Sequence, residues 1–240
     1  MKKSFILLVG MAVGILTQSC VYVWENSISG NGNVRSETRR VDDFHGIEAA
    51  AGLKVYVTFG EMMNEVEVEA DENLHEYIET EVIGGILKIR TRKGIRNAKA
   101  RNIYVNAGKI DHLEASSAAH LLCENILDTR AIEIDVSSAA DLELHVEADR
   151  IEINVSSSGN ARIEGRAYEM YAEVSSAGTL RASDLEVKDC VVEASSAGNA
   201  RVFVTEKLEA GASSAGHISY RGSPNTKQIR KTSAGTVSGS

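Results

Sequence analysis

A run of small residues, Ser-Ser-Ala-Gly or a near variant, occurs seven times from Ser116 onward in this 240-residue chain. The copies begin at Ser116, Ser137, Ser156, Ser175, Ser195, Ser213 and Thr232, so their starts lie 21, 19, 19, 20, 18 and 19 residues apart. Self-similarity at so steady a period is the mark of a solenoid, in which each repeat buries its apolar face only against its neighbours. Five and seven residues after each start come apolar pairs such as Leu142/Leu144 and Leu180/Ala182. One, three and five residues before the next start come further apolar sets, for example Val136/Ile134/Ile132 and Val155/Ile153/Ile151. Both flanks therefore alternate with period two, the pattern of a strand with one buried face. Each repeat reads as strand, tight corner, strand and a looser turn of variable length. Glycine fills the fourth corner position in five of the seven copies, which predicts a positive φ there.

Antiparallel hairpins in a sandwich would also satisfy the turn lengths. A sandwich gives no reason for one corner to recur at one spacing with the same inward columns, whereas a coiled β-solenoid stacks like on like about 4.8 Å apart. The expected fold is all-β: a parallel β-helix or β-solenoid with coils of 19–20 residues and Ser-Ser-Ala-Gly corners. Residues 41–110 are β-rich but lack the corner, and Gly84-Gly85 between two alternating runs signals a hairpin. That stretch is either the first coils or an antiparallel cap on the open end of the stack.

Residues 1–19 read as a lipoprotein signal peptide. Lys2 and Lys3 precede an apolar run over residues 5–16, too short to span a membrane, and Cys20 follows as the expected site of lipid attachment. Residues 20–40 are polar and glycine-bearing, as expected of a flexible tether, and residues 41–240 are expected to form a single solenoid domain. The sequence holds 26 basic and 34 acidic residues, and loss of Lys2 and Lys3 with the signal leaves a charge of about −10, which argues against a nucleic-acid partner.

Four stretches together, Gly30-Asn31-Gly32-Asn33, the run from Arg40 through Val41-Asp42-Asp43-Phe44-His45-Gly46 to Ile47, the strand Lys54-Val55-Tyr56-Val57 and the serial corners, resemble the auto-transporter adhesin, head GIN domain family. The resemblance covers roughly residues 30–240. It implies the fold strongly and function weakly, and it carries no catalytic residues onto this chain. What it implies is an exported bacterial lipoprotein of the cell envelope, anchored to the outer membrane and either periplasmic or displayed at the surface.

The corner serines do not mark a nucleophile, because a catalytic serine is single and this corner recurs. Cys123 and Cys190 both fall on inward columns, three coils apart, roughly 14 Å at strand spacing and beyond the reach of a disulfide. The six histidines (His45, His75, His112, His120, His145 and His217) show no metal-ligand spacing. Outward columns are more informative. Arg162, Arg181 and Arg201 occupy one repeat position, and stacked guanidinium groups repel unless something anionic intervenes. They are the candidate ligand-binding residues, an anion-reading strip for an acidic glycan or lipid headgroup, with Glu164 and Asp184 as the internal alternative. Glu114, Asp135, Asn154, Glu173 and Glu193 form an acidic column two residues before successive corners. A Ca²⁺ ion bridges such oxygens in some proteins, but no dedicated loop accompanies these, so a solvated face is expected and no metal or other cofactor. The run of Lys88, Arg90, Arg92, Lys93, Arg96, Lys99 and Arg101 is read as protecting an edge strand or, alternatively, holding an anionic surface.

Polar residues thus follow the repeat instead of breaking it, and no long loops are inserted. The chain is expected to bind and not to catalyse, with the membrane (through its lipid), a glycan or another envelope or surface protein as partners. A weakly covered last edge near Val237 invites self-association. Two rivals are a polysaccharide-active enzyme on a β-helix, which needs a local cluster of carboxylates, and a purely structural envelope scaffold.

Overall fold

The structure, a computed structural model, describes residues 27–61 and 63–239. The expected signal segment and Cys20 lie outside the described residues. Five long strands, His120–Val136, Asp141–Val155, Asn160–Val174, Thr179–Ala194 and Asn199–Ala212, stack in parallel and in register, each running from one corner to the next. This is the expected β-solenoid. Its interior is the predicted set of columns: Ile132, Ile134 and Val136 lie over Ile151, Ile153 and Val155, then Met170, Ala172 and Val174, all at most 3% exposed. Alternating apolar residues leave no other face to bury, and stacking hides them from water along the whole axis.

Three ladders run along the stack. A leading ladder precedes each corner and a trailing ladder follows it. The stretch expected to be a loose turn is a third, short ladder in which Leu127, Val146, Val187 and Val204 are buried. Differences in coil length are absorbed as register shifts away from the corners, between Leu122 and Ile126, between Arg162 and Glu164 and between Ala182 and Glu186. Extra residues bulge out there and leave the inward alternation intact on either side.

Every corner is a β-turn with the hand of type I′. In the copy starting at Ser175, the Gly178 amide donates to the Ser175 carbonyl at 2.8 Å, with φ of 50° at Ser176 and 60° at Ala177. Positive φ therefore falls on the second and third residues of the motif and not on the glycine, which corrects the sequence-based expectation. The glycine is needed for a different reason. A Cβ on Gly178 would lie 2.6 Å from the Val155 carbonyl oxygen of the preceding coil, and one on Gly198 would lie 2.3 Å from that of Val174. Left-handed Ser and Ala cost roughly 1–2 kcal/mol each, and bonds between coils offset this. The third residue's amide donates to the second residue's carbonyl in the next coil, as in Ala177 to Ser196 at 3.0 Å.

Residues 41–110 contain both of the structures left open above. Gly46–Ala49 and Lys54–Phe59 form a true coil around Ala50-Ala51-Gly52-Leu53, an eighth corner with φ of 61° at Ala51 and 67° at Gly52. Ile86–Thr91 and Arg101–Ala107 continue the two ladders in parallel. Antiparallel strands then close the stack: Ile78–Ile83 on the leading ladder, Glu65–Asp71 and Val34–Arg40 on the trailing one. Four of the seven residues of the basic run are engaged here. Arg90 pairs with Glu79 and Glu81, Arg92 with Glu79, Lys88 with Glu48, and Lys93 lies over Tyr77.

For residues 27–40 the expected tether is replaced by paired chain. Ser27–Ile28 pairs with Gly94–Ile95, and Val34–Arg40 pairs along its length with Glu65–Asp71. The physical reason is Asp71, whose carboxylate accepts hydrogen bonds from the amides of Gly32, Lys99 and Ala100 at 2.7–3.0 Å. The glycine-rich loop that looks like a linker is a wrap around one buried anion.

Candidate functional site

The trailing ladder projects an outer column of Leu122, Glu143, Arg162, Arg181, Arg201 and Ser219, adjacent coil by coil. The three arginines are thus brought together as expected, all exposed. They are not equivalent. Arg162 donates through Nε to Glu164 at 2.7 Å, and this bond together with the charge of Glu164 raises its pKa above the ordinary arginine value. Asp184, expected to serve the same purpose, lies 3.9 Å from Arg221, which stacks on Phe203. Arg181 and Arg201 have no ion-pair partner among the described residues.

The same column continues into the cap as a stack of Tyr56 on Tyr104, with ring centroids 5.1 Å apart and 16° between planes. Leu122 and Glu143 separate these rings from Arg162 on the column. Their signal in the sequence is faint, because Tyr56 and Tyr104 are 48 residues apart in a region without the motif.

A groove of about 610 Å³ follows the short middle ladder, lined in part by Asp128, Arg130, Glu147, Arg166, Tyr168 and Lys188. It meets a second of about 590 Å³ that shares Asp128, Thr129 and Arg130 and reaches His45 and Lys109. Sequence reasoning missed both, because these residues fall in the stretch assigned to turns.

The acidic column stands on the outer face of the leading ladder, where Glu48, Glu114 and Asp135 are consecutive rungs. Burial, then the charges of Glu48 and Asp135, push the Glu114 carboxyl above the ordinary glutamate range. A raised folded-state pKa means stability that is full below the unfolded value and is lost as pH rises through the folded one. Glu114→Gln is therefore expected to raise the thermal midpoint of chelator-treated protein at pH 7 by about 1–2 °C, a shift kept small because water screens the half-exposed carboxyl, with the gain vanishing at acid pH. An unchanged midpoint at pH 7 would show that the crowding costs nothing.

Cys123 and Cys190 are free, as expected. Cys190 is buried and Cys123 half-buried; desolvation pushes the Cys190 thiol up to about 12 and the Cys123 thiol higher still, so neither is a reactive thiolate.

A search of curated proteins finds no match. Several solved structures share the fold. A "putative adhesin" from Bacteroides fragilis NCTC 9343 superposes with a TM-score of 0.81 at 19% identity, over 89% of this chain and 100% of that one. A "putative adhesin" from Parabacteroides distasonis ATCC 8503 gives 0.74 at 23% identity, again over 89% and 100%. A "putative lipid binding protein" from the same strain gives 0.69 at 20% identity, over 89% and 99%. The serial corners, the solenoid they build and a family-model match over residues 43–224 agree, and the chain belongs to the family described as "Putative auto-transporter adhesin, head GIN domain".

Proposed function

We propose that this chain is an exported, non-catalytic binding module, anchored to the outer membrane through lipid on Cys20, and that the trailing face recognises an anionic ligand. The observation that carries the reading is the pair Arg181 and Arg201, in register, exposed and without a partner among the described residues, beside the neutralised Arg162. Unpaired guanidinium groups one strand spacing apart offer two planar forks that match carboxylate and phosphate groups, as carried by an acidic glycan or a lipid headgroup. The adhesin and lipid-binding names of the structural neighbours are in keeping with either source.

Full-length protein purified in detergent is screened against acidic glycans, neutral glycans and anionic or zwitterionic vesicles. Expected is binding to one anionic class that weakens as salt rises, and a loss of at least tenfold in the Arg162→Ala/Arg181→Ala/Arg201→Ala protein. Binding that the triple variant retains would overturn the site. Binding to nothing tested would move the role to scaffolding within the envelope. Cys20→Ala is expected to release the protein from the membrane fraction, and continued sedimentation with membranes would dispose of the lipid anchor.

A further inference from the structure

The leading face carries a second cluster, unrelated to the arginine column. His112 and Glu114 lie two residues apart on one coil and face Glu133 and Asp135, rung for rung, on the next. Donor atoms of His112, Glu133 and Asp135 lie within 4.8 Å of one another, and so do those of Glu48, His112 and Glu114. The two sets differ in what surrounds them. Glu48 is held by the Lys88 ammonium at 2.7 Å. Glu114 and Asp135 have no cationic partner among the described residues, and Glu133 meets only the His112 ring, at 3.7 Å. The imidazole itself is largely sheltered, at 20% side-chain exposure, with no closer polar contact.

We propose that His112, Glu133 and Asp135 form a binding site for a zinc ion, with water completing the tetrahedron. Two carboxylates beside one imidazole, with no other cationic partner among the described residues, make a site that a divalent cation neutralises and a monovalent one does not. The imidazole selects among divalent ions, because Ca²⁺ and Mg²⁺ take oxygen ligands whereas Zn²⁺ takes nitrogen and carboxylate oxygen together at about 2.0–2.2 Å. Bonds of that length need donors roughly 3.5 Å apart. The three donor atoms lie within 4.8 Å of one another before any ion is bound. Neighbouring coils hold the three Cα atoms in register, so the site is preorganised by the ladder. Its ligands sit one coil apart, 21 residues in sequence, which is why no compact motif announces it.

The test is a Zn²⁺ titration of tag-free, chelator-stripped full-length protein in detergent, competed against a chromophoric chelator. Expected is one ion per chain, undisturbed by millimolar Ca²⁺. His112→Ala, Glu133→Gln and Asp135→Asn should each weaken binding by at least tenfold, and Glu48→Gln should leave it within about twofold, as befits a group outside the ligand set. Far-ultraviolet circular dichroism of the variants checks that the solenoid is intact. Absence of saturable binding, binding indifferent to His112→Ala, or loss on Glu48→Gln with retention on Glu133→Gln would each overturn the assignment.

Discussion

Asp71→Ala is expected to lower the stability of this protein by about 3–5 kcal/mol, read from the urea midpoint at pH 7. Asp71 is 1% exposed and is the one buried charged or polar residue among those described. Its carboxylate accepts from the amides of Gly32, Lys99 and Ala100, so the change strands three backbone donors in the cap, at roughly 1–3 kcal/mol for each that water does not reach. Gly30 is packed so closely that an added Cβ would lie 2.0 Å from the same carboxylate. Loss of the anion should therefore release residues 30–40 together, and hydrogen exchange of Val34–Arg40 should accelerate before that of the long strands. The pH dependence has a definite sign. Burial alone would raise the Asp71 pKa, yet the three amides and the Lys99 charge hold it below its ordinary 3.8. Its contribution is full above the unfolded value and is lost as pH falls through the lower folded one. Asp71→Ala should flatten the acid limb of the stability curve below about pH 4. A wild-type midpoint in the variant would show that the wrap is not an anchor.

Asp71 also shows where the sequence stops speaking. The stack itself was legible because seven corners repeat and the columns beside them alternate, and the inward positions flanking the corners follow from counting. Residues 30–33 gave the opposite impression, since glycine and asparagine without neighbours read as a tether, and only the strand Glu65–Asp71 makes them a wrap. The eighth corner went unread for a related reason. Ala50-Ala51-Gly52-Leu53 has the backbone of a corner without its composition, because its fourth position tolerates leucine. The middle ladder was hidden by bulges, which break the count between Leu122 and Ile126 and again between Ala182 and Glu186. In the candidate sites, the repeat brought Arg162, Arg181 and Arg201 to one column on sequence alone. It said nothing of which arginine a neighbour neutralises, since that depends on the rotamer of Glu164. His112 was judged by spacing along the chain, where its partners across the ladder are invisible.

The corner offers the sharpest test of how composition maps onto conformation, and two substitutions at adjacent residues should move stability in opposite directions. Ala177 sits at φ 60°, a strained position for any residue with a Cβ, whereas glycine adopts it freely. Ala177→Gly relieves roughly 1–2 kcal/mol of backbone strain and forfeits roughly 0.5–1 kcal/mol of unfolded-state entropy, so a net gain of about 0.5–1 kcal/mol is expected. Gly178 is not strained, but a side chain there runs into the Val155 and Ser175 carbonyl oxygens, at 2.6 and 2.9 Å from the Cβ. Backbone atoms do not rotate aside, so Gly178→Val is expected to cost ~3 kcal/mol or more and Gly178→Ala ~1–2 kcal/mol, in the range of overpacked cores. Ala119 and Ala140 fill the same position in the first two corners and are fully buried, so those coils already provide the space. Ala140→Gly relieves no strain and should cost about 1 kcal/mol, the unfolded-state entropy and the lost buried methyl together. Urea midpoints of the four variants decide the matter. If Ala177→Gly destabilised and Gly178→Ala were neutral, the glycine would be serving a conformational need after all. The coil-to-coil contact at Val155 would then not be what sets the composition of the motif.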